Sequence, residues 1–333
     1  MKRIKYFLGF VLLVLLGTAL TGCGGGGGGN NNNNNDNTNP VSSFSPSTAV
    51  LYALPNTEID FNYTQTDAGY IYAWKVADST GGPIIASGTN QNYSWTPTTT
   101  GDYTVTAKII KGDGSSELAN SSWTVHVTAA GAYKFFVVKT LNNTSVSGAT
   151  ADAVGTGFMG KYTVTSATDG SVSFSSLPAG SYFVKVSLPG SVTVYKYITV
   201  VANSTLSNFS DTDGKAFLQT WSNWNTMLST TFDSSKSMIM GSVFDAGGNN
   251  KLGGATVSLS PSSGRAYYLV ANEATGTMSL VTTSTDPDLG AYLVAGVSNN
   301  TYSFSAKCNG YNFGSIKFTI GEVAVYSIEI MAQ

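Results

Sequence analysis

The sequence predicts an all-β protein, built as tandem antiparallel β-sandwiches behind a disordered tether. Three observations carry this expectation. Ser, Thr, Gly, Asn, Val and Tyr are abundant while charged residues make up 11% of the 333 residues, far below the usual ~25%, and that mix favours strands and turns over helices. Apolar and polar residues alternate over short runs bounded by Gly, Asn and Pro, as half-buried strands of a sandwich do. Part of the chain also repeats. With Gly170 aligned to Gly290, Val172 meets Tyr292, Phe174 meets Val294, Tyr182 meets Tyr302, Val184 meets Phe304, Leu188 meets Cys308 and Gly190 meets Gly310, without a gap.

The N-terminal residues form a separate element. Lys2, Arg3 and Lys5 precede an almost unbroken apolar run from Tyr6 to Leu16, and Thr18, Ala19, Thr21 and Gly22 are small. This is the layout of a secretory signal over residues 1–22, and the run falls short of the ~20 apolar residues that span a bilayer. Leu20-Thr21-Gly22-Cys23 resembles the lipobox of bacterial lipoproteins. That resemblance implies cleavage before Cys23, acylation of its sulfur and amine, and a membrane partner held through Cys23. Stable anchoring takes more than one acyl chain, which a diacylated or triacylated Cys23 supplies. Gly24, rather than Asp, follows the cysteine; in a Gram-negative host the family then implies the outer membrane, facing the periplasm or the surface.

Residues 23–41 come next. Gly24–Gly29 and Asn30–Asn39 hold nothing apolar to bury, so the segment is expected to be disordered. About 17 residues of such flexible coil reach roughly 20–25 Å, enough to lift a folded body off a lipid surface. A phosphate-cradling glycine loop needs a strand before it and a helix after it, and the flanking sequence offers neither.

The first sandwich is expected over residues 42–129. Tyr70–Val76 and Gly101–Ala107 alternate, Tyr93-Ser94-Trp95 lies between them, and Ser122–Val127 closes the unit. A central Trp74 with a later Gly-x-Tyr-x-Val resembles bacterial immunoglobulin-like and PKD domains, with Tyr103 at the tyrosine-corner position. Lys-Val-Ala-Asp follows Trp74 where PKD domains carry Asp-Phe-Gly-Asp, which favours a generic immunoglobulin-like sandwich.

The repeat defines two further sandwiches, at 131–210 and 237–333. Every second residue from Tyr182 to Leu188, and again from Tyr302 to Cys308, is apolar, so one strand is used twice with one face buried. Upstream, Val146-Ser147-Gly148-Ala149 parallels Leu252-Gly253-Gly254-Ala255, and an Asp turn follows in each, at Asp169-Gly170 and at Asp286–Gly290. This order resembles the carboxypeptidase regulatory-like domain, implying a transthyretin-like sandwich and no peptidase activity. Two features break the repeat. About 13 more residues separate Ala255 from Asp288 than separate Ala149 from Asp169; they are expected to extend a hairpin around Tyr267 and Tyr268. Residues 211–236 have no counterpart, and the spacing of Phe217, Trp221, Trp224 and Leu228 fits one face of a short helix.

Little in the sequence can carry catalysis. His126 is the single histidine, alternates outward beside Trp123, Val125 and Val127, and lacks the partners of a serine triad. Zinc needs several His, Cys or acidic ligands together; if Cys23 is lipidated only Cys308 remains, expected as a buried apolar residue in place of Leu188. Asp211 with Asp213, and Asp286 with Asp288, offer oxygens to Ca²⁺, although Asp in turns usually caps local backbone; no other cofactor is expected. No framework for a paired-carboxylate glycosidase is evident. Trp74, Tyr103, Tyr182 and Tyr302 are expected in cores, which leaves Trp221, Trp224, Tyr267 and Tyr268 as candidate ligand contacts.

The net charge of −2 excludes the basic footprint of nucleic-acid binding. The sequence therefore reads as a non-enzymatic, lipid-anchored envelope protein whose sandwiches act as spacers and as binding modules for a protein or glycan. An accessory subunit of an envelope assembly or export machine is the alternative. A hydrolase is the reading from another class, and the histidine and carboxylate census speaks against it.

Overall fold

The computed structural model describes residues 44–333 apart from 48, 65–68, 140–143, 155–156, 161, 206–213, 249, 273–276 and 288. The expected signal, Cys23 and the expected tether lie outside the described residues. The first sandwich comprises β1 (Phe44–Ser45), β2 (Val50–Ala53), β3 (Ile59–Tyr63), β4 (Tyr70–Asp78), β5 (Ile84–Gly88), β6 (Asn92–Trp95), β7 (Gly101–Lys111) and β8 (Glu117–Val127). These strands form two sheets, β1-β3-β6 and β2-β8-β7-β4-β5. Between them lies an aromatic core in which Trp74 stacks at 6.0 Å on Trp123 and at 5.8 Å on Tyr93. Trp74 Nε1–H donates to Asn90 O at 2.7 Å, the partner a buried indole needs. Tyr103 O–H donates to Thr99 O at 3.0 Å, four residues upstream as in a tyrosine corner.

The second repeat unit holds β9 (Ala130–Val138), β10 (Thr150–Val154), β11 (Thr163–Thr165), β12 (Ser171–Pro178), β13 (Gly180–Ser187), β14 (Val194–Val200), β15 (Lys215–Phe217) and the helix α1 (Trp221–Met227). The third holds β16 (Ser237–Phe244), β17 (Thr256–Ser260), β18 (Arg265–Asn272), β19 (Thr277–Val281), β20 (Ala291–Val297), β21 (Asn300–Lys307), β22 (Ile316–Ile320), β23 (Val325–Ser327) and β24 (Ile330–Met331). Pairing preserves the repeat: Gly180 lies opposite Val200 in β13–β14, and Asn300 opposite Ile320 in β21–β22. The same anchor recurs too, since Tyr182 and Tyr302 donate to the carbonyls of Pro178 and Ser298, four residues back.

The second and third sandwiches are not separate bodies. One ten-stranded sheet runs through both in the order β11-β10-β13-β14-β23-β16-β20-β18-β19, with β24 also on β16. Its joint is β23, which pairs parallel with β14 on one side and with β16 on the other, Val325 lying opposite both Val194 and Met238. Side chains alternate across a strand, so the central strands of this sheet serve two cores. Val184, Ile198, Val325, Met238 and Leu293 enter the core closed by β12-β9-β15 and α1. Their neighbours Phe183, Tyr197, Tyr326, Ile239 and Tyr292 turn to the other face, into the core closed by β17-β21-β22. Residues 42–333 accordingly pack as one compact unit.

This shared sheet also buries a lysine. Lys196 on β14 is 1% exposed, with Nζ 3.8 Å from the carboxylate of Glu329, which lies between β23 and β24. A Cβ on Gly214 would collide with that amine, so the glycine leaves room for the charge. The ion pair ties the second unit to the third.

The first sandwich joins the second in a related way. Residues 157–159 lie alongside the edge strand β2, with Tyr52 N–H donating to Gly157 O at 2.7 Å and Met159 N–H to Tyr52 O at 2.9 Å. The rings of Tyr52 and Phe158 meet at 5.8 Å. Gly157 has φ +91°, and a Cβ there would strike the carbonyl oxygen of Val50. Gly157→Ala is therefore expected to open this joint alone, at about 1–3 kcal/mol. Amide exchange checks it: protection at Tyr52 and Met159 should fall tenfold or more while Val105 and Val184, deep in their cores, keep theirs.

Candidate functional site

The aromatic candidates are mostly structural. Residues 221–227 form the helix expected from the Trp221/Trp224 spacing, capped by Thr220, whose Oγ1 accepts from Asn223 N–H at 3.1 Å. Phe217, expected on the same helical face, instead lies on β15. Trp224 is fully buried in the core of the second sandwich, 6.4 Å from the ring of Phe217, and its Nε1–H finds no partner among the described residues. It offers no face to a ligand, which corrects the expectation of ligand contact there. Trp221 is half-buried against the same core.

The extra segment of the third sandwich is a hairpin, β18–β19, with Tyr268 opposite Val281 and Asn272 opposite Thr277. β18 pairs with β20 and extends the shared sheet, because its two faces are apolar and each meets a core. Tyr268 is buried, and its hydroxyl accepts from Val257 N–H at 3.1 Å, so it too is removed from the candidate contacts. Tyr267 is half-buried against the second core, with the Arg265 guanidinium 5.2 Å from its ring.

The acidic turns divide. Asp211, Asp213 and Asp288 lie outside the described residues. Asp286 serves its own turn: Oδ1 accepts from Leu289 N–H at 3.3 Å and its carbonyl from Gly290 N–H at 2.8 Å. Among the described residues no three His, Cys, Asp or Glu groups gather as metal ligands.

His126 faces out of the first sandwich, as its strand position requires, yet its side chain is only 19% exposed. The ring stacks on Tyr52 at 5.2 Å, and Nδ1 meets Asp102 Oδ1 at 2.7 Å. It thus belongs to the joint with the second unit. A second polar cluster lies where β14 meets β23. Glu322 accepts from Lys185 Nζ at 2.8 Å and from Tyr195 O–H. These hydrogen bonds, Lys185 first, hold its carboxyl below the usual range. Burial pushes the neighbouring Tyr326 phenol up to about 12, and burial and the Glu322 carboxylate raise that of Tyr195 as well, so both rings of the stacked pair stay neutral at physiological pH.

An open groove of 610 Å³ lies on the third sandwich between the start of β17 and the turn that follows β21. Cys308 lines it, half-buried, with its Sγ–H donating to Gly253 O at 3.5 Å; it packs against the third-unit core as Leu188 packs against the second, but is buried only in part. The turn itself closes through Tyr311 N–H to Cys308 O at 3.2 Å, with Gly310 at φ +81°. A type II turn demands such a φ at its third residue. The turn displays Asn309, Tyr311 and Asn312, all exposed. Sequence reasoning passed over this site because its residues are ordinary turn residues, and only their difference from the equivalent turn in the second unit marks them.

No family model matches the chain, and no curated protein matches it in sequence. Solved structures do match. The Bacillus anthracis TIE protein is 15% identical over 87% of this chain, with a TM-score of 0.23, and the chain spans only 57% of that protein. A streptococcal ancillary pilin is 15% identical, covering 81% of this chain and 94% of its own, with a TM-score of 0.20. The shaft pilin SpaA from Lactobacillus rhamnosus GG is 11% identical, covering 62% and 98%, also with a TM-score of 0.20. Likeness at this level says nothing of the groove or of an activity.

Proposed function

We propose that this protein is a non-catalytic, lipid-anchored envelope component in which the sandwiches act as a stiff spacer presenting a binding surface to a protein or glycan partner. The observation that carries the reading is that both joints are closed by backbone pairing, residues 157–159 on β2 and β23 between β14 and β16. Flexible linkers leave domains free to move, whereas paired strands hold the three sandwiches in one arrangement. A single histidine and a charge content of 11% agree with a scaffold. The lipobox at Cys23, followed by a glycine and asparagine tether, agrees with attachment to lipid through a flexible base.

Membrane fractionation of cells expressing the wild type or Cys23→Ala tests the anchoring. The wild-type chain is expected in the membrane fraction and the variant among soluble envelope proteins. Equal retention of the variant would mean that Cys23 is not the anchor. Affinity capture from the same two preparations then reads the partner: co-purification of the same species with both forms, at similar yield, is expected if the sandwiches and not the lipid make the contact.

A further inference from the structure

The turn after β21 has a counterpart in the second unit that acts as an internal comparison. Leu188-Pro189-Gly190-Ser191 closes the same turn, Ser191 N–H to Leu188 O at 3.0 Å, with Gly190 also at φ +81°. There the following residue is held down, Val192 N–H donating to Gln219 O at 2.9 Å, and Leu188 and Val192 pack against the core. In the third unit the geometry is kept but the chemistry changes at three of four positions: Cys308 for Leu188, Asn309 for Pro189 and Tyr311 for Ser191. A groove opens beside it.

We propose that this groove binds a neutral oligosaccharide, with the Tyr311 ring as the stacking platform. The proposal deepens the binding role given above and rests on it. Tyr311 is 42% exposed, a large ring left in solvent at the rim of a concavity. The volume of 610 Å³ lies within the ~300–1,000 Å³ of small-molecule sites. Among the described residues the side chains of Asn309, Tyr311 and Asn312 make no hydrogen bond to the rest of the protein, so their donors and acceptors are available. Thr256 and Ser305 add hydroxyls on the adjoining strands. Lys307 is the one charged residue lining the groove, too little to favour a polyanion, and no acidic side chain lines it to hold a cation. An aromatic face that takes the C–H face of a sugar ring, flanked by amides that both donate and accept, matches a ligand rich in hydroxyls and without charge.

Saturation-transfer NMR tests the proposal on the full chain in detergent, with cellohexaose, maltohexaose and N,N′,N″,N‴-tetraacetylchitotetraose as probes. At least one probe is expected to receive saturation, falling fivefold or more with Tyr311→Ala and with Asn309→Ala. Ile84→Ala, at an exposed position on β5 of the first sandwich and away from the groove, should leave it unchanged. Both groove residues are exposed, and an unaltered circular dichroism spectrum establishes that each variant is folded. No transfer to any of the three probes, or transfer that Tyr311→Ala leaves intact, overturns the proposal. Either result leaves the fractionation and capture outcomes for Cys23 untouched, so failure of the groove is distinguishable from failure of the envelope-scaffold reading.

Discussion

Tyr326→Ala is expected to destabilise the second and third sandwiches together by about 3–5 kcal/mol, the cost of deleting a large buried aromatic. Tyr326 sits on β23, the strand common to both units. Its ring stacks on Tyr195 of the second unit at 4.9 Å and lies 5.9 Å from Phe318 of the third, with Phe183 at 5.8 Å. Removing it leaves a cavity bounded by both units, so neither can retain its core while the other opens. Urea denaturation followed by amide exchange at Val184 in the second unit and Phe304 in the third gives the measurement. The two amides should lose protection at the same denaturant concentration, lower than in the wild type. Two separate midpoints, with only Phe304 affected, would show that the shared sheet does not couple the units.

Gly241→Ala should be of comparable size, about 3 kcal/mol or more, and acts through backbone. A Cβ at Gly241 would overlap the carbonyl oxygen of Ile328. That oxygen already accepts the Tyr292 hydroxyl at 2.5 Å, and Ile328 N–H donates to Met240 O at 2.8 Å. Inserted atoms in a packed core cost typically 1–3 kcal/mol; here the obstacle is main chain held by hydrogen bonds on both sides, which places the effect at the upper end. Gly321→Ala is the control. Nothing lies within 4 Å of a Cβ there, and the change should stay within about 0.5 kcal/mol. Equal midpoints for the two variants would mean that β16 and the segment before β24 separate at little cost.

Much of the fold was legible. The alternation in Tyr70–Val76 placed β4, and the ungapped match of Gly170–Gly190 to Gly290–Gly310 identified β12–β13 and β20–β21 as one unit used twice. Trp221 and Trp224 announced the helix, and the surplus residues around Tyr267 announced a hairpin. What was missed lay in the off-face positions of the same strands. Ser173 and Ser175 on β12 become Leu293 and Ala295 on β20, while Ser303 and Ser315 on β21 and its following loop correspond to Phe183 and Tyr195 on β13 and β14. A strand apolar on both faces is covered on both faces. Comparing those positions across the repeat would have located the shared sheet. The candidate site was hidden for a different reason: Asn309, Gly310 and Tyr311 match the residues any turn may hold, and their meaning depends on the space beside them.

By itself the sequence determined the all-β class, the repeat and the turn positions, because alternation, glycine and local hydrogen bonding act within a few residues. Only the tertiary structure decided which edges meet. Strand pairing between β14, β23 and β16 joins residues far apart in the chain, and the backbone groups that make it are alike in every sequence. The same limit applies to Trp224 and Tyr268, aromatic residues whose burial depends on neighbours contributed by other strands. It applies to the groove as well: one turn of the repeat is packed down on Gln219, and its counterpart stands beside open space.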